Sequence, residues 1–396
     1  MQTVKIKELV SFVRGVSYKK EQASKEKQDQ YTAILRANNI NEGDFNFDDL
    51  VFVPSDLILD RQMIKKGDIV ITMSSGSKAH VGKVAIATHN INAAFGAFCA
   101  KIVPEKIVPK YLYYLLRSTG FRRHIEIASK GTNINNIKQD YILDYEICLP
   151  SHEEQKSIVA KIEELFSELD NGVETLKKTK QQLAVYRQAV LKEAFENCKT
   201  LSPIRDMSTL VTSGSRGWAQ FYASEGAKFI RIGNLTRESI DIDFSDIQYV
   251  ILPDKAEGLR SKLQSNDVLV SITADLGSIG LVPSNIGEAY INQHIAVVRF
   301  KNAAQGKFMA WYLRSDWGQK DLLKNKRGAG KLGLGLDDIR GSRVPVVSDE
   351  KAEAVLKVIE SRLSVCDSIE KTVDTALQQA EAMRQSILKK AFEGEL

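Results

Sequence analysis

The side chains best placed to do chemistry in this chain sit in short polar loops that follow apolar runs. Ser213–Gly214–Ser215–Arg216–Gly217–Trp218 brings a hydroxyl, a guanidinium and an aromatic ring into one flexible loop. Arg216 there could take a guanine edge or a phosphate, since a planar fork of N–H donors suits both, with Ser215 and Trp218 beside it. The competing reading is an ordinary surface turn. Gly15–Val16–Ser17–Tyr18–Lys19–Lys20 is its equivalent nearer the N-terminus, with Tyr18, Lys19 and Lys20 as candidates. Ser74–Ser75–Gly76–Ser77–Lys78 offers backbone donors, Ser75 and Lys78 to a phosphate, or is simply a hairpin loop. Lys130–Gly131–Thr132–Asn133 and Gly328–Ala329–Gly330–Lys331 are basic, Gly-rich loops at matched positions, each after a predicted helix. Lys130, Thr132, Asn133 and Lys331 are therefore read as nucleic-acid contacts. Arg36 and Arg231 follow apolar strands at matched positions, with Asn234 close behind the second. A DNA contact and a structural ion pair at the strand end fit them equally well. In Asn292–Gln293–His294, Gln293 and His294 could present hydrogen-bonding groups to adenine, or cap a strand.

Nothing in the chain assembles into a catalyst. Gly328-x-Gly330-x-x-Gly333 has the spacing of a dinucleotide fingerprint, but a lysine-rich helical segment precedes it and Asp337–Asp338 closes it within a turn. It is not a P-loop either, because Asn325 stands where glycine is needed and Leu332 where Ser or Thr is needed. His80, His89, His124, His152 and His294 show no metal spacing. No N-P-P-[FY] methyltransferase motif occurs, Phe95–Gly96–Ala97–Phe98 is not a cofactor loop, and Pro253–Asp254 lacks an E-x-K partner for a nuclease. No cofactor and no metal are expected.

A net charge of +5 with a pI near 8.8 permits nucleic-acid binding without requiring it. Acidic residues such as Glu153, Glu154, Glu163, Glu164, Glu168 and Asp170 concentrate in predicted helices, which leaves the other surfaces more basic than the mean. Cys99, Cys148, Cys198 and Cys366 are scattered, so neither a zinc knuckle nor a disulfide framework is encoded and a reduced, cytoplasmic setting is expected. No run approaches the roughly 18 apolar residues of a membrane span, and no membrane partner is expected.

These loops have to be positioned, and the chain does so twice. RQAVLKEAFE at 187–196 returns as RQSILKKAFE at 384–393, an offset of 197 residues in a chain of 396. The same offset matches Asp170 to Asp367, Ile162 to Ile359, Glu153 to Glu350 and Arg117 to Arg314. Internal repetition on this scale decides the architecture. Strands are predicted over Tyr31–Leu35, Ile69–Met73, Val81–Ala87 and Phe95–Val103, and a helix from Pro109 to about Ala128. The second copy predicts strands over Lys228–Ile232, Val268–Thr273 and Ile291–Phe300, and a helix from about Lys307 to Lys324. Ser151 and Glu154 form a capping-box pattern. A heptad seam follows through Ile162, Leu165, Leu169, Leu176, Leu183, Tyr186 and Val190, with Gly172 and Thr179 filling gaps. At about 1.5 Å per residue, some 40 residues make a rod of roughly 60 Å. The second rod repeats the seam at Ile359, Cys366, Ile369, Val373, Ala376, Ala380, Met383 and Ile387, with Arg362 the misfit. The stripes predict that the rods pack on each other, antiparallel, with the mixed domains at opposite ends. The expected fold is α+β: two mixed recognition domains separated by two long helices in an antiparallel coiled coil, with a pseudo-two-fold internal repeat. The expected boundaries are 1–150, 151–198, 199–347 and 348–396.

LPSHEEQKSIVAKIEELFSELDNGVETLKK with RQAVLKEAFE, and the terminal RQSILKKAFEGEL, resemble the two conserved helical regions of the specificity subunit of type I restriction–modification systems. The resemblance covers essentially the whole chain. It implies two target-recognition domains, each reading half of a bipartite double-stranded DNA site, and loops that face the DNA. It implies a helix pair that sets the unread spacer, about one helical turn or roughly 34 Å, and docks two methyltransferase subunits, with motor–nuclease subunits joining for cleavage. The specificity subunit itself performs no chemistry. VPVVSDEKAEAVLKVIE is a poor copy of LPSHEEQKSIVAKIE, which implies one weaker or different docking surface. From the residues, Arg187, Phe195, Arg384 and Phe392 are the partner-binding candidates, the phenylalanines as anchors. The alternative function is a coiled-coil scaffold tethering two modules that bind something other than DNA.

Overall fold

The computed structural model describes residues 2–41, 43–76, 80–128, 136–252, 260–324, 326 and 333–396. The chain divides into two compact units, Met1–Leu176 with Thr375–Leu396, and Lys177–Asp374.

In the first unit, β1 (Gln2–Lys5) pairs antiparallel with β9 (Glu146–Leu149). An antiparallel sheet runs in the order β2 (Val10–Arg14), β8 (Cys99–Pro104), β5 (Ile69–Thr72), β6 (Val84–Ile86). A second sheet has β3 (Tyr31–Leu35) between β4 (Val51–Pro54) and β7 (Ala93–Phe95), the β3–β7 pair being parallel. Every residue of β5 is buried, because both faces are covered. Ile69 and Ile71 pack with Leu112 and Leu116 of α1 (Pro109–Arg117), whereas Val70 faces Leu35 and Phe95 of the second sheet.

The second unit repeats this order and adds one strand. β10 (Leu201–Pro203) pairs with β19 (Arg343–Pro345). The main sheet is β11 (Ser208–Ser213), β18 (Ile295–Phe300), β15 (Val268–Ser271), β16 (Ile279–Leu281). The second sheet is β12 (Tyr222–Ala223), β14 (Gln248–Val250), β13 (Ala227–Ile230), β17 (Ala289–Ile291), so β12 is its one added strand. Val268 and Val270 pack toward α6 (Gly306–Arg314) with Phe308 and Leu313, and Leu269 packs with Ile230 and Ile291.

The expected single helices are each broken in two. Ser118 and Ser315 adopt extended backbone, end α1 and α6, and lend their hydroxyls to the next helices, α2 (Thr119–Ala128) and α7 (Asp316–Leu322). A serine that can accept a backbone N–H is a good N-cap, and here it outweighs a continuous apolar pattern. The strand expected over Phe95–Val103 is likewise two strands, with Gly96–Ala97–Phe98 as the turn between them. The run Ile291–Phe300 is split in the same way at Asn292–Gln293–His294. Each unit also has a short helix, α3 (Gln139–Leu143) and α8 (Leu336–Gly341).

The two long helices are α4 (His152–Phe195) and α9 (Asp349–Glu393). The expected capping box is present: Glu154 N–H donates to Ser151 Oγ at 3.3 Å, and Ser151 N–H to Glu154 Oε2 at 2.8 Å. Each unit contains an antiparallel helix pair. In the first, Arg384 pairs with Asp170 and stacks over Phe166, while Leu388 and Ala391 join Ile162 and Phe166 in the core. In the second, Arg187 bonds Asp367 at 2.7 Å and Glu370 at 2.8 Å, Lys180 bonds Asp374 at 2.8 Å, and Arg362 bonds Glu193 at 2.6 Å. The seam's large side chains differ from their expected course at three places. Tyr186, Ile369 and Met383 are 47%, 40% and 53% exposed, and the half-buried positions next to them belong to Arg187, Glu370 and Arg384. Paired charges take inward positions that the apolar pattern had assigned to their neighbours.

Candidate nucleic-acid interface

In the second unit, four separated segments converge on one polar pocket of about 400 Å³, lined by Ser213, Gly214, Ser215, Arg216, Arg260, Thr273, Gln293 and His294. They are the end of β11 with the residues that follow it, Arg260, Thr273 two residues after β15, and the β17–β18 turn. Gly214 allows the convergence: a Cβ there would lie 2.1 Å from the Ile291 carbonyl oxygen and 2.4 Å from Asn292. Arg216 is exposed, and among the described residues it has no hydrogen-bond or ion-pair partner. Arg260 reaches Ser215 Oγ at 3.5 Å. His294 Nδ1 lies 2.6 Å from Thr273 Oγ1, and its Nε2 is 2.8 Å from Gln293 Nε2. With the Gln293 amide donating to Nε2, Nδ1 carries the proton and donates to Thr273. The His294 ring is thereby held in one orientation. Such a pocket offers guanidinium donors, amide groups and hydroxyls on a fixed frame, the chemistry that reads base edges and phosphates.

Four of the residues singled out from sequence, Ser215, Arg216, Gln293 and His294, thus come together. Arg260 and Thr273 were missed. Thr273 occupies the place of Ser74 in the first unit, since Ser74 and Thr273 bridge Asn136 and Gly333, so the repeat itself carried that signal. Arg260 lies in a stretch of sequence with no readable pattern.

Two expectations are corrected here. Trp218 is not a DNA contact: it is 5% exposed, stacks on Phe229 at 4.6 Å and lies 5.5 Å from Tyr290. Asn234, 3% exposed, accepts the Arg231 N–H and donates to the carbonyls of Asp243 and Asp246, so both of its donors are used and its oxygen is buried away from a base. Arg231 donates to the Asp246 carboxylate and carbonyl at 3.0 and 3.1 Å, and Arg36 does the same to Asp49 at 2.9 and 2.7 Å. Both arginines therefore make the strand-end ion pair that was one of their two readings. Asn39 repeats the role of Asn234 in the first unit.

In the first unit, Gly15 makes the close approach of Gly214, its Cβ position 2.1 Å from the Gly96 carbonyl oxygen. Lys19 and Lys20 are exposed, Ser75 is half-buried, and Tyr18 is half-buried against Ile34 and Val53. Burial pushes the Tyr18 hydroxyl above its ordinary range, and the Arg36 charge opposes the shift. Lys78, Lys130, Thr132, Asn133 and Lys331 lie outside the described residues.

The partner-binding candidates are also placed differently. Phe195 is 2% exposed and packs edge-on against Phe308 at 5.4 Å and Tyr312 at 5.3 Å. Phe392 is half-buried and packs edge-on against Tyr111 at 5.2 Å. Arg187 and Arg384 are held in the ion pairs between the helices. The repeated RQ-x-[VI]-L-K-x-A-F-E segment is therefore explained by intramolecular packing: each copy docks a helix end onto α6 or α1 of its own unit. Phe195 is thus closed off inside its own unit, while Phe392 keeps part of its surface open.

A scaffold built twice, closed by long helices and carrying polar loops, defines a recognition subunit. Among the described residues no group of three or more His, Cys, Asp or Glu could hold a metal. Comparison with known proteins agrees. Residues 1–184 match the family described as type I restriction modification DNA specificity domain. The chain is 33% identical to the specificity subunit of the StySPI type I restriction enzyme of Salmonella potsdam, over 100% of this chain and 89% of that protein. It is 31% identical to the EcoKI specificity subunit of Escherichia coli (strain K12), over 98% of this chain and 87% of that protein. In fold it is similar to a chain from a type I R-M system solved for its complex assembly and conformational transition, with a TM-score of 0.75, 15% identity and coverage of 100% and 98%. It is also similar to the HsdS subunit of Thermoanaerobacter tengcongensis, with a TM-score of 0.52, 15% identity and coverage of 100% and 97%. The chain belongs to the specificity subunits of type I restriction enzymes.

Proposed function

We infer that this chain is the DNA-reading subunit of a type I restriction–modification complex and performs no chemistry of its own. Residues 1–150 and 199–347 are its target-recognition domains, each reading one half of a bipartite double-stranded site. Regions 151–198 and 348–396 set the unread spacer and dock two methyltransferase subunits, with motor–nuclease subunits joining to cleave. The complex works in the cytoplasm; among the described residues no helix is long and apolar enough to cross a membrane. The observation that carries this reading is the Arg216–Arg260–Gln293–His294 pocket on a scaffold that recurs in both units. Lys19 and Lys20, with Lys78, Lys130, Thr132, Asn133 and Lys331, supply further phosphate and base contacts. Such lysine and arginine contacts give affinity that falls steeply with salt. On the helices, exposed Val185, Tyr186, Val365 and Ile369 are among the apolar groups open to a docked subunit. A scaffold that tethers non-DNA modules fits the family membership less well.

Methylome sequencing of a host carrying the cognate methyltransferase subunit, with and without this chain, tests the function. A bipartite adenine motif that depends on the chain is expected. A stable complex that creates no new motif would refute DNA reading. Arg216→Ala and Lys331→Ala are expected to weaken recognition of the second half-site only.

A further inference from the structure

The β7–β8 turn of the first unit and the β17–β18 turn of the second are topological equivalents with opposite chemistry. Met73 N–H donates to the Phe98 carbonyl at 2.9 Å, as Ile272 N–H donates to the His294 carbonyl at 2.9 Å. Phe98 therefore occupies the place of His294, and Ala97 that of Gln293. The first turn is held firmly. Cys99 N–H closes it onto the Gly96 carbonyl at 2.8 Å, and Ser74 N–H adds a second bond to Phe98 at 3.1 Å. Gly96 and Cys99 on either side are buried. Yet the Phe98 side chain is 69% exposed, against 48% for Phe47 and 37% for Phe244. Where the second unit offers an amide and an imidazole, the first offers a methyl and a phenyl, with no side-chain donor or acceptor.

The side chains of such a turn can distinguish bases only by apolar contact. Among the base edges in the major groove, the one apolar feature is the thymine 5-methyl group. We propose that Phe98, with Ala97 beside it, reads a thymine methyl in the first half of the DNA target. The same turn is then a specificity determinant in both units, by apolar contact in the first and by hydrogen bonds in the second. This inference rests on the DNA-reading function proposed above.

The test uses the chain assembled with its methyltransferase subunits. The motif is read first by methylome sequencing; duplexes are then made with uracil replacing each thymine of the first half-site in turn. One replacement should weaken binding about fourfold, the worth of one buried methyl group. Phe98→Ala should be indifferent to that replacement, and its methylome should be degenerate at that base with the second half unchanged. Phe98→Leu should keep the thymine preference. Because Phe98 is exposed, these variants should fold like the parent, which thermal denaturation checks. The proposal is overturned if no uracil matters, or if Phe98→Ala keeps the whole motif. It is also overturned if Phe98→Ala weakens binding to every sequence equally, or if Phe98→Leu loses the preference, which would indicate ring stacking. A wild-type complex with no bipartite motif would instead sink the DNA-reading function, and this inference with it.

Discussion

The two recognition units share a frame and differ in what the frame holds. Both have the left-handed turn before the central strand, with Gly67 in one and Asn266 in the other, residues that tolerate positive φ. Both follow it with a buried aspartate. In the first unit Asp68 pairs with Lys101 at 2.8 Å, and both side chains are almost fully buried. In the second, Asp267 pairs with Arg299 at 2.7 Å, and the arginine keeps about a fifth of its surface exposed. The cation reaches the aspartate from a different position on the neighbouring strand. What is preserved is the carboxylate that caps the turn, accepting the Lys65 or the Gln264 N–H. The counter-charge and the loop tips vary.

This comparison can be pressed by substitution. The largest effect is expected at the buried pair. Asp68→Ala strands Lys101 in the core and should destabilise the first unit by about 3–5 kcal/mol, with Asp267→Ala costing less because Arg299 can turn to water. Urea denaturation of both variants would decide it, and equal losses would remove the distinction. Phe195→Ala should cost about 3–5 kcal/mol and half-buried Phe392→Ala about half that, by the same measurement. If both variants instead keep parental stability and lose methyltransferase assembly, the phenylalanines are partner anchors after all. Asn39→Ala and Asn234→Ala should each cost about 1–3 kcal/mol, and equally, because both amides close the same bracket. The smallest expected effect is on binding: Arg216→Ala should weaken the second half-site by about 1–3 kcal/mol if it reads a base. If it meets a phosphate, the loss should be uniform across sequences and lower the salt slope by about one.

Much of the frame was legible because repetition reports twice. Tyr31–Leu35 is a strand over the expected residues, and both rods lie where the heptads and the capping box placed them. The breaks at Ser118 and Ser315 were not legible, since a local cap competed with a continuous apolar stripe. Nor were short strands such as Val51–Pro54, whose pattern is too brief to stand out. At the interface, the polar loop around Arg216 could be seen and its partners in space could not. Trp218 and Asn234 sit in the right stretches, but burial redirects them inward, and no property of a single residue announces burial. Phe98 falls inside the strand expected over Phe95–Val103, and the turn that exposes it has no glycine–asparagine signature to announce it.

The first unit draws its last helical residues from 375–396, so Leu388 and Ala391 share a core with Ile6 and Leu9 from the opposite end of the sequence. The second unit is one continuous stretch, Lys177–Asp374. On the ribosome, therefore, the unit that is made first is completed last. At roughly 5–20 residues per second, its open apolar stripe around Ile162, Phe166 and Tyr111 waits on the order of ten to fifty seconds for its covering segment. During that interval Tyr111, Phe166 and their neighbours are open to chaperones, to other nascent chains, or to the same segment of a second copy.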